Sequence, residues 1–153
     1  GEVKSRGVEL DVSGQVTENL SLIGSYTFDV VKITDDANRS MVGKRYFGAA
    51  PNFGSLWAKW DTAPGSAQGW ELGAGVYATD ERWGDNINSW KLPSYARFDA
   101  MAAYRLPIDG HKVTLRINVK NIGDQRYFEF ADGYGFAYYG QPRTVIGSVN
   151  FQW

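Results

Sequence analysis

Cysteine is absent from the 153 residues, and histidine occurs once. Without thiols there is no disulfide framework and no thiolate metal site. A single imidazole, His111, leaves most zinc sites and nucleophilic triads without their parts. No stretch approaches the roughly 18 consecutive apolar residues that cross a bilayer as a helix. No basic block interrupts a formal net charge of −1, which excludes a nucleic-acid surface. The carboxylates are not paired at a catalytic spacing, and no glycine-rich phosphate loop leads into a helix, so the chain reads as a non-enzyme. No initiator methionine precedes Gly1-Glu2-Val3-Lys4, and no basic-then-apolar targeting segment follows. The expectation is a piece of something longer.

What the sequence does have is aromatic residues and glycine. Aromatics make up 15% of the chain and there are 18 Gly, against ordinary contents of hydrophobic (43%) and charged (22%) residues. The dominant hydrophobic period is two. Leu20, Leu22, Gly24, Tyr26, Phe28 and Val30 alternate with Ser21, Ile23, Ser25, Thr27 and Asp29. Ala96 to Leu106, Val113 to Val119 and Val145 to Trp153 follow the same rule, with Ile146 the one break in the last. Val8 to Val12, Leu56 to Asp61 and Trp70 to Thr79 follow it less cleanly. Such alternation makes half-buried strands rather than helices, about seven of them.

The connections alternate in length. Short ones lie at Thr17-Glu18-Asn19, at Ala63-Pro64-Gly65-Ser66 and at Pro107-Ile108-Asp109-Gly110, where Pro, Gly and Asp favour turns for separate stereochemical reasons. Long ones run over 34–50, 82–93 and 128–142. Short–long alternation is the pattern of an antiparallel up-and-down meander with two unequal ends, as in transmembrane barrels.

A soluble sandwich also alternates, so the placement of the large rings decides. Trp60, Trp70, Tyr104 and Trp153 all fall on the apolar face at the short-turn end. Rings gathered at one height suit a lipid interface; a sandwich core has no reason to align them. The opposite face carries Glu9, Asp11, Asp29, Lys59, Glu71, Arg97, Asp99, Arg105, Arg116 and Lys120 and belongs toward a wet or filled lumen. Seven strands are too few to close a single-chain bacterial barrel, which needs eight or more. An open sheet would leave unpaired backbone in hydrocarbon.

Three motifs carry a resemblance. Lys4-Ser5-Arg6-Gly7-Val8-Glu9-Leu10 resembles the SRGxE strand of TonB-dependent receptors. Val119-Lys120-Asn121-Ile122-Gly123-Asp124-Gln125-Arg126-Tyr127 resembles the V-x-N-L-x-D-x-x-Y motif near the end of that family, with Ile-Gly in place of the usual Leu-Phe. Gly140-Gln141-Pro142-Arg143, leading to Phe151-Gln152-Trp153, resembles its G-x-P-R approach to the last strand. The layout from Trp83-Gly84-Asp85 to Ser94-Tyr95 is most similar to the ferric-siderophore branch, nearest the ferrichrome and hydroxamate receptors.

The resemblance implies that residues 1–153 are the C-terminal strands of a barrel of about 22 strands filled by an N-terminal plug. It implies a multi-pass receptor in the outer membrane of a Gram-negative bacterium. Uptake of a ferric siderophore would be energised by the TonB-ExbB-ExbD complex through the plug. No cofactor bound by the chain itself is implied. Further partners would be outer-membrane lipid, lipopolysaccharide and the barrel-assembly machinery. The alternating end of the chain, Val149, Phe151 and Trp153, resembles the signal that this machinery reads. Candidate ligand contacts are Tyr134, Phe136, Tyr138 and Tyr139 in the last long loop, Trp83 and Trp90 in the middle one, and Arg45 in the first. The rival readings are a passive porin and a soluble carbohydrate-binding β-sandwich whose Trp83 and Trp90 stack on sugars.

Overall fold

A computed structural model describes residues 1–152. Seven strands form one sheet: β1 (Glu2–Gln15), β2 (Leu20–Asp35), β3 (Asn52–Asp61), β4 (Gly69–Thr79), β7 (Tyr95–Ile108), β8 (His111–Lys120) and β11 (Thr144–Gln152). Each pairs antiparallel with the next in sequence, giving the linear order β1-β2-β3-β4-β7-β8-β11. Two small hairpins lie inside the long connections: β5 (Arg82–Trp83) with β6 (Lys91–Leu92), and β9 (Phe128–Ala131) with β10 (Ala137–Tyr139). The period-two reading located the seven large strands but not the hairpins. It also ended β2 early, at Val30; the strand continues to Asp35 against Glu2–Arg6 of β1.

The register keeps the apolar residues on one face across every strand. One rung runs Val12–Gly24–Leu56–Val76–Phe98 through direct pairs. Another runs Leu72–Ala102–Ile117–Gly147. Because side chains alternate, a one-residue slip at any pair would turn a strand's apolar set to the opposite side. This face is uncovered. Val8 is 66% exposed, Phe98 58% and Leu56 51%, and among the described residues no second layer packs over them. The sandwich reading therefore fails, since in a sandwich these side chains would form the core.

The two ends of the apolar face differ. At the short-turn end, Trp70 and Tyr104 are directly paired across β4 and β7, with ring centroids 4.8 Å apart. Trp60 sits one rung away, opposite Leu72, and the Tyr104 hydroxyl accepts from Gln68 Nε2 at 2.6 Å. Trp153 lies outside the described residues. At the long-loop end, a polar chain closes the face. Tyr26 Oη donates to Asn52 Oδ1 (2.7 Å), and Asn52 Nδ2 donates to Asp80 Oδ2 (2.6 Å). From Trp60 to Asn52 along β3 is ~27 Å at about 3.4 Å per residue. Tilted by about 40°, that gives ~21 Å, near the roughly 25 Å apolar band of outer-membrane barrels.

The other face is polar and internally paired. Arg105 Nη2 binds Asp61 Oδ1 at 2.7 Å, Arg105 Nη1 lies 3.3 Å from Glu71 Oε1, and Arg116 reaches the other Glu71 oxygen at 3.7 Å. Trp57 lies flat over Gly75, where no Cβ has room, and its Nε1 donates to Tyr77 Oη at 2.9 Å.

Two substitutions separate the faces. Leu56→Lys, in the middle of the apolar face, is expected to cost about 2–4 kcal/mol of bilayer stability. Ser13→Lys on the opposite face is expected to cost well under 1 kcal/mol. Urea titration of the full-length receptor in lipid vesicles checks both.

Candidate functional site

All three long connections project from the same end of the sheet, and short-range chemistry ties them together. The first curls back onto β2 through an antiparallel bridge, Lys32 to Arg45. Tyr46 N donates to Val31 O at 3.0 Å. The second connection then clamps the first. Asn88 spans the backbone of Arg45: its Oδ1 accepts from Arg45 N (3.0 Å) and its Nδ2 donates to Arg45 O (2.8 Å). Asn88 is left-handed, φ 59°, a conformation that Asn tolerates better than most residues. Asn86 Oδ1 accepts from Phe47 N at 3.1 Å, and Gly48 N donates to Trp83 O at 2.9 Å.

Arg82 ties the second connection to the third. Its Nη2 donates to Phe128 O at 2.7 Å, while the guanidinium lies 5.5 Å from the Tyr95 ring centroid. The third connection reaches the first through Gly133, whose Cα faces the Phe47 ring.

The base of the third connection explains the motif around residues 119–127. Asn121 is 1% exposed and left-handed, φ 53°. Its backbone N donates to Asp99 Oδ1 (2.8 Å). Its Nδ2 donates to Gln125 O and Gln141 O, both at 3.0 Å, and its Oδ1 accepts from Gln125 N at 3.0 Å. Asp124 Oδ1 accepts from Arg143 N at 2.9 Å. Tyr127 is buried, stacks on Tyr95 at 4.2 Å and covers Gly140 so closely that a Cβ there has no room. Arg97 joins the cluster, with its Nε at 3.1 Å from Asp99 Oδ1 and its Nη1 donating to the Tyr127 hydroxyl at 3.2 Å. The two C-terminal motifs are thus one buried junction. Arg97 and Asp99 hold the start of the loop, and Gly140 and Arg143 hold its return.

The third connection ends in a tight turn. Asp132 Oδ1 accepts from Tyr134 N (2.8 Å) and Phe136 N (3.1 Å). These donors hold the carboxyl below the usual carboxylate range. Tyr134 at 93% exposure and Phe136 at 69% stand out from the tip.

Between the three connections lies a cleft of about 800 Å³. Its walls are Tyr46 and Phe47 from the first connection, Asp85, Asn86 and Trp90 from the second, and Asp132 to Gly135 from the third. The size falls within the range of small-ligand sites. Of the sequence-derived candidates, Trp90 and Tyr134 line it. Phe136, Tyr138, Tyr139, Trp83 and Arg45 do not. Tyr138 stacks on Phe130 at 4.4 Å and Tyr139 on Phe128 at 4.6 Å, bracing the β9–β10 hairpin while remaining exposed. Trp83 lies beneath Lys91 Nζ at 4.6 Å. Arg45 is held by its backbone. Sequence reasoning missed Asp85, Asn86, Asn88 and Asp132. Only Asp132-Gly133 carried a turn signal that could have flagged its position. Among the described residues no group of His, Cys, Asp and Glu is arranged to hold a metal ion.

One uncovered apolar face, one polar face and loops gathered at a single end define a segment of a membrane β-barrel wall. Residues 1–122 match the family described as TonB dependent receptor-like, beta-barrel, and the chain belongs to that family. It is 34% identical over 154 residues to the metal-pseudopaline receptor CntO of Pseudomonas aeruginosa, covering 100% of this chain and 21% of that protein. It is 30% identical over 152 residues to the ferrioxamine B receptor of Salmonella typhimurium, covering 99% of this chain and 22% of that protein. The crystal structure of BauA, the ferric preacinetobactin receptor of Acinetobacter baumannii, superposes with a TM-score of 0.89 at 24% identity, over 97% of this chain and 22% of that one. The chain therefore spans about a fifth of the length of the relatives it matches.

Two outcomes test this geometry in the full-length receptor. Asn121→Ala removes three side-chain hydrogen bonds and is expected to cost about 2–3 kcal/mol locally. Hydrogen exchange should then rise at Gln125 and Arg143 while β3 and β4 keep their protection. The Asp132 turn carries the opposite expectation for mild acid. Its carboxyl is lowered by the folded turn, so its contribution is complete above the ordinary carboxylate value and fades as pH falls through the lowered one. Protection at Tyr134 and Phe136, corrected for intrinsic exchange, should hold from pH 7 to about 5 and be lost only below about 4.

Proposed function

We propose that this chain forms part of the wall and the ligand-capturing rim of an outer-membrane receptor that takes up a ferric siderophore. The observation that carries the reading is the aromatic-walled cleft where three long loops converge, at the end opposite the Trp60, Trp70 and Tyr104 rings. A bulky, partly apolar chelate is matched by rings and a few polar groups. The ferrioxamine B and ferrichrome receptors among the relatives favour a hydroxamate chelate. The metal-pseudopaline receptor favours a metal chelate more broadly. Family membership favours energy coupling over a passive pore.

In this reading the rings of Trp60, Trp70 and Tyr104 sit in the inner interface of the outer membrane. Val149, Phe151 and Trp153 serve as the signal for the barrel-assembly machinery. Lys44 and Arg45 meet lipopolysaccharide phosphate above the outer interface. Energy reaches the barrel from TonB-ExbB-ExbD through a plug domain.

Iron-limited growth tests it. A strain lacking the receptor, complemented with the full gene and fed single siderophores, should recover on a ferric hydroxamate. Recovery on none overturns the reading. Trp90→Ala and Tyr134→Ala should each raise the Kd for the rescuing chelate by about tenfold, with the amount of receptor in the outer membrane unchanged.

A further inference from the structure

The cleft has a sign of charge. Four of its lining side chains are aromatic rings, Tyr46, Phe47, Trp90 and Tyr134, and among the described residues its only charged lining groups are Asp85 and Asp132. Three nearby cations, Arg82, Lys91 and Arg39, have partners of their own outside the cleft. Arg82 is buried against Phe128 O and Tyr95. Lys91 pairs with Glu81 and covers Trp83. Arg39 pairs with Asp35 at 3.5 Å. Arg45 meets the cleft wall through its backbone, on Asn88.

Both carboxylates are fixed in place. Asp85 Oδ1 accepts from Ser89 N at 2.8 Å, and its Oδ2 accepts from the Ser89 hydroxyl. Asp132 uses one oxygen for the tip turn, and its Oδ2 accepts no hydrogen bond among the described residues. The donors on Oδ1 keep Asp132 ionised well into acid.

Resting on the receptor reading above, we infer that the cleft selects a chelate bearing a protonated amine, or no net charge, over an anionic chelate of the same size. An ammonium placed between these walls meets ring faces and carboxylates together. Ring faces attract cations, and a partly enclosed site screens the carboxylates less than open water does. A carboxylate on the chelate meets like charge, with no cation among the described lining residues to offset it.

The test uses full-length receptor in detergent and three ferric trihydroxamates that differ at one end only: a free ammonium, its neutral acetamide and its anionic succinamate. Tryptophan fluorescence quenching reads Kd. The ammonium form should bind about tenfold more tightly than the succinamate, with the acetamide between them. Asp85→Asn combined with Asp132→Asn removes both charges and keeps one acceptor oxygen at each position, enough for the bond from Ser89 N and for the tip turn. It should shrink that ratio several-fold, and hydrogen exchange across the three connections, compared with the wild-type receptor, reports that the cleft is intact. Equal or tighter binding of the succinamate by the wild-type receptor overturns the inference and leaves the uptake reading standing. An unchanged ratio in the double variant also overturns it. Binding of none of the three overturns both.

Discussion

Hydrocarbon offers no partners to a peptide group, and that constraint orders everything else in this chain. Each unpaired N–H or C=O in lipid costs several kcal/mol. Continuous antiparallel pairing from β1 to β11 meets the requirement for the five inner strands. It does not meet it for the outer edges of β1 and β11, which run for 14 and 9 residues. Both are long, and β1 carries the exposed Val8, Leu10 and Val12 toward lipid. A sheet with such edges is stable in a membrane only when other strands flank it, which agrees with the chain covering about a fifth of its relatives. The same constraint accounts for the polar face. Once the middle of every strand gives one face to lipid, alternation sends the charge of that stretch to the other, where Arg105, Asp61, Glu71 and Arg116 satisfy one another.

The strands were legible because their period and their environment coincide. Leu20 to Phe28 alternates with Ile23 the one break, and the register places its apolar set on the outside. Legibility stopped where the environment changed. Val30, Val31 and Ile33 put apolar groups on both faces of the upper part of β2, because the first connection folds back over that stretch and buries Ile33. Two-residue strands such as Arg82–Trp83 are too short for any period to register. The C-terminal motifs were recognisable as letters, yet the reason for them was not. Asn121, Asp124, Tyr127, Gly140 and Arg143 are spread over 23 positions and meet only when the loop has closed on Asp99.

The candidate cleft was the least legible part. Its rings come from three connections, and nothing in the spacing of Tyr46, Trp90 and Tyr134 says that they converge. What brings them together is a set of side-chain-to-backbone bonds, from Asn86 and Asn88 to the first connection and from Arg82 to the third. Amides that satisfy another segment's backbone leave no periodic trace. An aromatic residue in a loop was a reasonable candidate by type alone. The structure divides those candidates into cleft walls, such as Trp90, and hairpin braces, such as Tyr138 against Phe130.

Wall and rim are consequently built to different stiffness. Within the wall, strand separation breaks long ladders in a medium that gives nothing back. In the rim, each tie is one or two hydrogen bonds whose loss water largely compensates, worth about 1 kcal/mol net apiece. The junction between them is neither. Asp99, Asn121, Tyr127 and Arg97 are buried or partly so, mutually bonded, and set where β7 and β8 leave the sheet. Tyr95 then passes the contact upward, stacking on Tyr127 below and receiving Arg82 above. Arg82 is buried with its Nε unpartnered, so shifting it outward relieves one cost while breaking its bond to Phe128. A rim of weak ties thus stands on a junction that is buried and mutually bonded.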